Sequence, residues 1–375
     1  MPIHKIPAAQ AVPFGPPPAY SATPTATTGS KWNPMNWSKK VLIGAIAAAV
    51  VIIAAIIIGA VLGTRKSAYP DYSKLTYTLV DEYSGTDFFD NFDYFTGYDP
   101  SSGFVHYVPA ATANSTQYNL TYASSTSAVL KVDTTETDAS TGRYSVRITS
   151  KKQYDSGLFV FDVLHSPYGC STWPALWLSD PNNWPENGEI DVLEAVNQGN
   201  VGNQMTLHTT DDCKMDVKRK ETGDVLETNC WNGTDDNAGC GVQGDVDTYG
   251  KSFNENGGGV YAMEWRDAGI RVWFFDRDSI PDDLSSGNDS SPDPSSWGTA
   301  LADFPGTDCD ISSHFKNQSI IANIDLCGDW AGADGVYTTE YGCPGTCEDF
   351  VATNNTAYET AYWEWSYWKV YTADS

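Results

Sequence analysis

Between Lys39 and Lys66 the chain reads KKVLIGAIAAAVVIIAAIIIGAVLGTRK, and residues 41–63 form 23 consecutive uncharged, mostly apolar positions. About 20 such residues cross a bilayer as a helix, because a helix satisfies its backbone polar groups without water. The run exceeds the roughly 7 to 15 apolar residues of a cleavable secretory signal and lies well inside the chain, so it reads as a signal anchor. Lys5, Lys31, Lys39 and Lys40 precede it, and Arg65 and Lys66 follow. The excess on the amino-terminal side predicts a cytosolic N-terminus and a lumenal or extracellular remainder, as a single-pass membrane protein of the secretory pathway or cell surface.

The anchor divides the chain. Residues 1–38 are rich in Pro, Ala, Ser and Thr, with three prolines at 16–18. Such a composition cannot bury a core, and a disordered cytosolic tail is expected. Residues 67–77 read as a short stalk and 78–375 as one domain. No Asp or Glu occurs before Asp71, so all 48 acidic residues face only 16 basic ones beyond Lys66, a net of −32. That field repels a phosphate backbone and argues against nucleic acid as a partner.

All eight cysteines (170, 213, 230, 240, 309, 327, 343 and 347) follow the anchor, as do N-glycosylation sequons at Asn114, Asn119, Asn232, Asn288, Asn317 and Asn354. An even cysteine count in a non-cytosolic domain predicts disulfides, whose pairing the sequence leaves open. No CxxC pair or Cys/His cluster has metal-ligand spacing, and no loop has EF-hand spacing, so no metal is expected. Gly257–Gly259 reads as a turn before a strand, and no cofactor motif is found.

Beyond the anchor the pattern is one of short runs rich in β-branched and aromatic residues, broken by Gly, Asn, Asp and Pro. Examples are RYSVRITS (143–150), GLFVFDVL (157–164), VYAMEWR (260–266), SIIANIDL (319–326) and YWEWSYWKVY (362–371). No sustained helical period appears. An all-β sandwich or barrel is expected, with the aromatics of 362–371 in its interior.

One run, GEIDVLEAV (188–196), places Glu189, Asp191 and Glu194 within six residues. On a strand Glu189 and Asp191 share a face, with Ile190 and Val192 on the other. Strict alternation puts Leu193, not Glu194, beside the acids. One extra residue, a β-bulge, restores Glu194 to their row. Three crowded carboxyls cannot all ionise cheaply, so one retains a proton. A carboxylate able to attack, next to a protonated acid, is the apparatus of a retaining glycosidase, with the carboxyls about 5 Å apart. Trp173, Trp177 and Trp184 lie just upstream, and aromatic faces stack on sugar rings.

These blocks, TWPALWL, NWPENGEIDVLEAVN, NQMTLHTT (203–210), GGGVYAMEWRDAGIRVWFF (257–275) and CGDWAG (327–332), resemble the family 16 glycoside hydrolases. More narrowly, they are similar to the fungal endo-1,3(4)-β-glucanases of the laminarinase type. The similarity extends from about residue 88 to 371. It implies a β-jelly-roll sandwich with an open cleft and a retaining double displacement on β-1,3 or mixed β-1,3/1,4-glucan. By motif position it implies Glu189 as nucleophile, Glu194 as general acid/base and Asp191 as the carboxylate that tunes Glu189. Trp177 and Trp184 match sugar-contacting tryptophans, Trp330 is a weaker match, and His208 is expected to make a polar contact near the site. Many relatives are secreted, so the anchor is a departure that points to glucan handled near a membrane. A transglycosylase using the same intermediate and a non-catalytic glucan-binding protein are the alternatives. Nothing suggests more than a monomer.

Overall fold

The computed structural model describes residues 37–67, 69–285 and 291–373. Most of the expected tail and the sequon at Asn288 lie outside these residues. Lys39–Ser67 is one α-helix, and its Lys39–Ala60 part is long and apolar enough to cross a membrane. The helix runs four residues past the apolar stretch.

The remainder is built on two antiparallel eight-stranded sheets. The first runs, in neighbour order, Ala302–Pro305, Gly269–Asp276, Gly259–Arg266, Gly157–His165, Tyr362–Ala373, Ala128–Lys131 and Thr121–Ala123, with Tyr77–Ser84 also paired to Tyr362–Ala373. The second runs Asp224–Val225, Cys240–Gln243, Gln204–His208, Glu189–Glu194, Thr172–Ser179, Gln318–Leu326, Arg147–Tyr154 and Phe92–Tyr94. The runs at 157–164, 260–266, 319–326 and 362–371 each fall on one strand, whereas 143–150 divides between Arg143–Ser145 and Arg147–Tyr154.

Inward residues of both sheets meet in one core. Leu176, Leu178, Ile190, Val192, Leu193, Ile320 and Ile324 from the second sheet share it with Phe159, Phe161, Trp265, Trp363, Trp365 and Trp368 from the first. All of these are at most 1% exposed. Burying each such side chain contributes about 1.5–3 kcal/mol, the main force closing the sandwich. The tryptophans of 362–371 are therefore interior, as expected. Four disulfides pair Cys170–Cys343, Cys213–Cys309, Cys230–Cys240 and Cys327–Cys347.

Residues 69–76, expected as a stalk, lie against this sandwich. Tyr69 and Tyr72 donate to the two oxygens of buried Asp303, at 2.9 and 3.2 Å. The Arg271 guanidinium stacks 4.0 Å from the Tyr72 ring, Lys220 Nζ 4.0 Å from the Tyr69 ring, and Arg266 donates to Ser73 O at 3.0 Å. The segment thus caps a buried carboxyl group, a role its short sequence YPDYSKLT does not announce.

Candidate active site

The carboxylate strand begins after Gly188, which has φ +76° and where a Cβ would lie 2.4 Å from the carbonyl oxygen of His314. Only glycine fits there. Glu189 then pairs with His208 and Ser179, and Asp191 with Thr206 and Trp177. After Asp191 the register shifts against both neighbouring strands. This is the bulge that the spacing of the acids demands. Ile190, Val192 and Leu193 fall into the core, while Glu189, Asp191 and Glu194 line one cleft of about 860 Å³.

A bulge leaves ladder groups without strand partners, and buried ones must find others. Asn203, fully buried, supplies them: its Oδ1 accepts from Glu194 N at 2.8 Å and its Nδ2 donates to Val192 O at 2.8 Å. Its own N donates to Thr248 Oγ1 at 2.8 Å. Sequence reasoning missed this residue, because its partners lie across a turn from it. Asn203→Ala should strand both backbone groups and lower stability by about 2–4 kcal/mol. A urea midpoint unchanged from wild type would show that water replaces the amide.

The acids are held unequally. Trp173 Nε1 donates to Glu194 Oε1 at 2.7 Å. His208 Nε2 lies 3.4 Å from Asp191 Oδ2, an ion-pair contact to a buried oxygen that has no hydrogen-bond partner. Burial, then the charge of Asp191, pushes Glu189 and Glu194 above the ordinary carboxylate range, Glu194 further than Glu189. His208, Trp184 and Arg147 pull Glu189 partly back. Burial alone would disfavour a charged His208. The Asp191 contact and the charges of Glu189, Asp191 and Glu194 outweigh it and raise His208 to about 9.

All three shifts have the same sign: the folded state binds these protons more tightly than the unfolded chain. Their stabilisation is therefore present at acidic pH and lost as pH rises through the folded values. The melting temperature should fall between about pH 5 and pH 9, and Glu189→Gln should flatten that slope. A melting temperature that climbs over this range would contradict the charge arrangement. Glu189, Asp191 and His208 also offer atoms within 4.8 Å of one another, a spacing open to a cation. Within that grouping His208 and Asp191 stand at ion-pair distance.

The other sequence-predicted residues, Trp173, Trp177, Trp184, His208 and Trp330, line the same cleft. Trp173 has its polar edge engaged by Glu194, and Trp330 meets it edge-on at 5.7 Å. One face of Trp177 carries the Arg147 guanidinium at 4.9 Å, and its Nε1 donates to Asn323 Oδ1 at 2.8 Å. Trp184, 40% exposed, presents the most open ring. Arg147, Asn323, Asp325, Gln204 and Asn237 also line the cleft and were not singled out from the sequence. Arg147 and Asn323 sit opposite each other on paired strands, a proximity only the register creates.

A jelly-roll sandwich with a bulged carboxylate strand on the floor of a tryptophan-lined cleft defines a glycoside hydrolase. The profile of an XgeA-like, catalytic GH16 domain matches residues 92–371, and the chain belongs to glycoside hydrolase family 16. It is 46% identical over 303 residues to a probable glycosidase of Schizosaccharomyces pombe, covering 80% of this chain and 70% of that protein. It is 44% identical over 309 residues to a probable endo-1,3(4)-beta-glucanase of Aspergillus niger, covering 79% of this chain but only 40% of the relative. Among solved structures it is similar to laminarinase 16A from Phanerochaete chrysosporium, seen with 6-O-glucosyl-laminaritriose in donor and acceptor sites. That similarity has a TM-score of 0.76 and 45% identity, over 79% of this chain and all of that one. An elongating GH family 16 beta-1,3-glucosyltransferase matches with a TM-score of 0.73 and 43% identity, over the same shares.

Proposed function

We propose that the β domain hydrolyses internal β-1,3 or mixed β-1,3/1,4 linkages of glucans with retention at the anomeric carbon. One observation carries this reading: the bulge brings Glu194, gripped by Trp173, onto the face of Glu189 and Asp191 in an open cleft. Glu194, the carboxyl with the stronger hold on a proton, protonates the glycosidic oxygen. Glu189 attacks the anomeric carbon from the opposite face and forms a glycosyl ester. Glu194, now a carboxylate, takes a proton from water, which attacks the same carbon and releases Glu189. His208, held by Asp191, opposes the hold that burial and the Asp191 charge give Glu189 on a proton, and the aromatic rings of Trp177, Trp184 and Trp330 support sugar rings along the cleft.

The glucosyltransferase among the similar structures favours a second reading, in which a sugar hydroxyl replaces water in the second step and the product is a longer chain. Both readings use the same intermediate. The apolar helix supports a signal anchor, and the basic residues before it support a cytosolic N-terminus. Four disulfides and exposed sequon asparagines at 114, 119, 317 and 354 suit a domain in the secretory pathway or at the cell surface, working as a monomer. The test is to incubate residues 69–375 with soluble β-1,3-glucan and with mixed-linkage glucan, counting reducing ends and sizing products. New reducing ends are expected. Binding without new ends or longer chains would replace the enzyme with a glucan-binding protein.

A further inference from the structure

The strand that carries His208 is followed by a loop closed by the Cys230–Cys240 disulfide. Within it Asp235, Asp236 and Asn237 hold φ values of 50°, 53° and 62°, three consecutive non-glycine residues in the left-handed region. Asn and Asp bear that conformation best among residues with a side chain, but a run of three persists only where surrounding structure enforces it. Gly239 follows at φ +66°, where a Cβ would lie 2.7 Å from His208 Cε1 and equally close to Leu207 O. The loop is thus bent hard against His208. Asp235, Asp236, Asn237 and Ala238 line the same cleft as the three acids.

What this bending achieves is one contact. Asn237 Oδ1 stands 3.1 Å from His208 Nδ1, on the side of the ring away from Asp191. Asp191 Oδ2 stands 3.4 Å from Nε2. Each ring nitrogen therefore faces an oxygen that can only accept, and only the doubly protonated ring satisfies both. A neutral ring would turn a lone pair toward one of these oxygens. The other charges acting on the ring are Glu189 and Glu194 from the paired strand, and Arg147, Glu227, Asp235, Asp236, Asp99, Asp325 and Asp329 line the same cleft.

We propose that Asn237 is a positioning residue: the disulfide-closed loop presents its amide oxygen to His208, holding the ring as an imidazolium that keeps Asp191 paired and Glu189 ionised for attack. The consequence for catalysis rests on the retaining mechanism proposed above, whereas the hold on His208 does not.

Two variants keep the backbone and change only the acceptor. Asn237→Gly tolerates φ near 60° without strain and deletes the amide, and Asn237→Asp retains both the conformation and an acceptor oxygen. The full-length chain in detergent micelles, labelled with ¹⁵N-histidine, reports the titration of His208, whose signals are identified by their loss in His208→Gln. The midpoint should drop by about one pH unit in Asn237→Gly and rise in Asn237→Asp, as expected for removing or strengthening a hydrogen bond to a charged group. With β-1,3-glucan, kcat should fall about tenfold in Asn237→Gly with KM nearly unchanged, and return in Asn237→Asp. A His208 midpoint that stays put in both variants overturns the proposal, even if melting temperature or KM changes, since those follow from a loop that merely shapes the cleft. If the wild type proves inactive, the proposed function fails, and the titration still decides this point on its own.

Discussion

Glu189→Gln should reduce turnover of β-1,3-glucan by at least about 10⁴-fold while leaving the fold intact, because an amide cannot form the glycosyl ester on which both displacements depend. Loss of activity by itself would not separate chemistry from unfolding. The stability change does so. Three carboxyls crowd this strand, and Glu189 is raised by burial and by Asp191, so a neutral isostere relieves repulsion. The variant should melt at or above the wild-type temperature near neutral pH. An inactive protein with an equal or higher melting temperature assigns Glu189 to the reaction. Activity within tenfold of wild type would remove it from the nucleophile's role, whatever the melting temperature.

Glu194→Ala should show a different failure. Without a proton donor, natural glucan is cleaved about 10²–10⁴-fold more slowly, whereas an aryl glucoside with a good leaving group still forms the glycosyl ester at Glu189. The ester then waits, since no base activates water. Azide needs no base and should rescue turnover, attacking from the side vacated by the leaving group to give the β-glycosyl azide. The same addition to Glu189→Ala should give the α-azide, because azide then occupies the nucleophile's own side. A β product from Glu189→Ala, or no rescue in either variant, would exchange or abolish the roles proposed for these residues. Trp173 enters here as well. Its hydrogen bond holds Glu194, the proposed acid, so Trp173→Phe should lower kcat more than it raises KM.

Much of the architecture was legible beforehand for physical reasons. Alternation with period two places residues on the faces of a strand regardless of where its neighbours lie. The strand at 362–373 could therefore be read from alternation, and those at 157–165, 259–266 and 318–326 from short apolar runs rich in β-branched and aromatic residues. The acidic row was legible for the opposite reason, since it broke the pattern. Glu194 is out of phase with Glu189 and Asp191, and a bulge is the simplest device that removes the conflict. The contact of Tyr69 and Tyr72 with Asp303 left no trace in the sequence, because Asp303 lies more than 200 residues away.

By itself, then, the sequence determined the long apolar run, the β class, the row of three acids with its flanking tryptophans, and the need for a bulge between Asp191 and Glu194. Each is a statement about residues close together in the chain, where period and composition act directly. The tertiary structure alone decided that Asn203 stitches the bulge, that Arg147 and Asn323 stand behind Trp177, and that Asn237 reaches His208. It also decided which cysteines pair, including Cys170 with Cys343 across 173 residues. These contacts depend on the register of paired strands and on loops folded back over them. Such proximity arises from the packing of the whole domain and leaves no periodic trace in the chain.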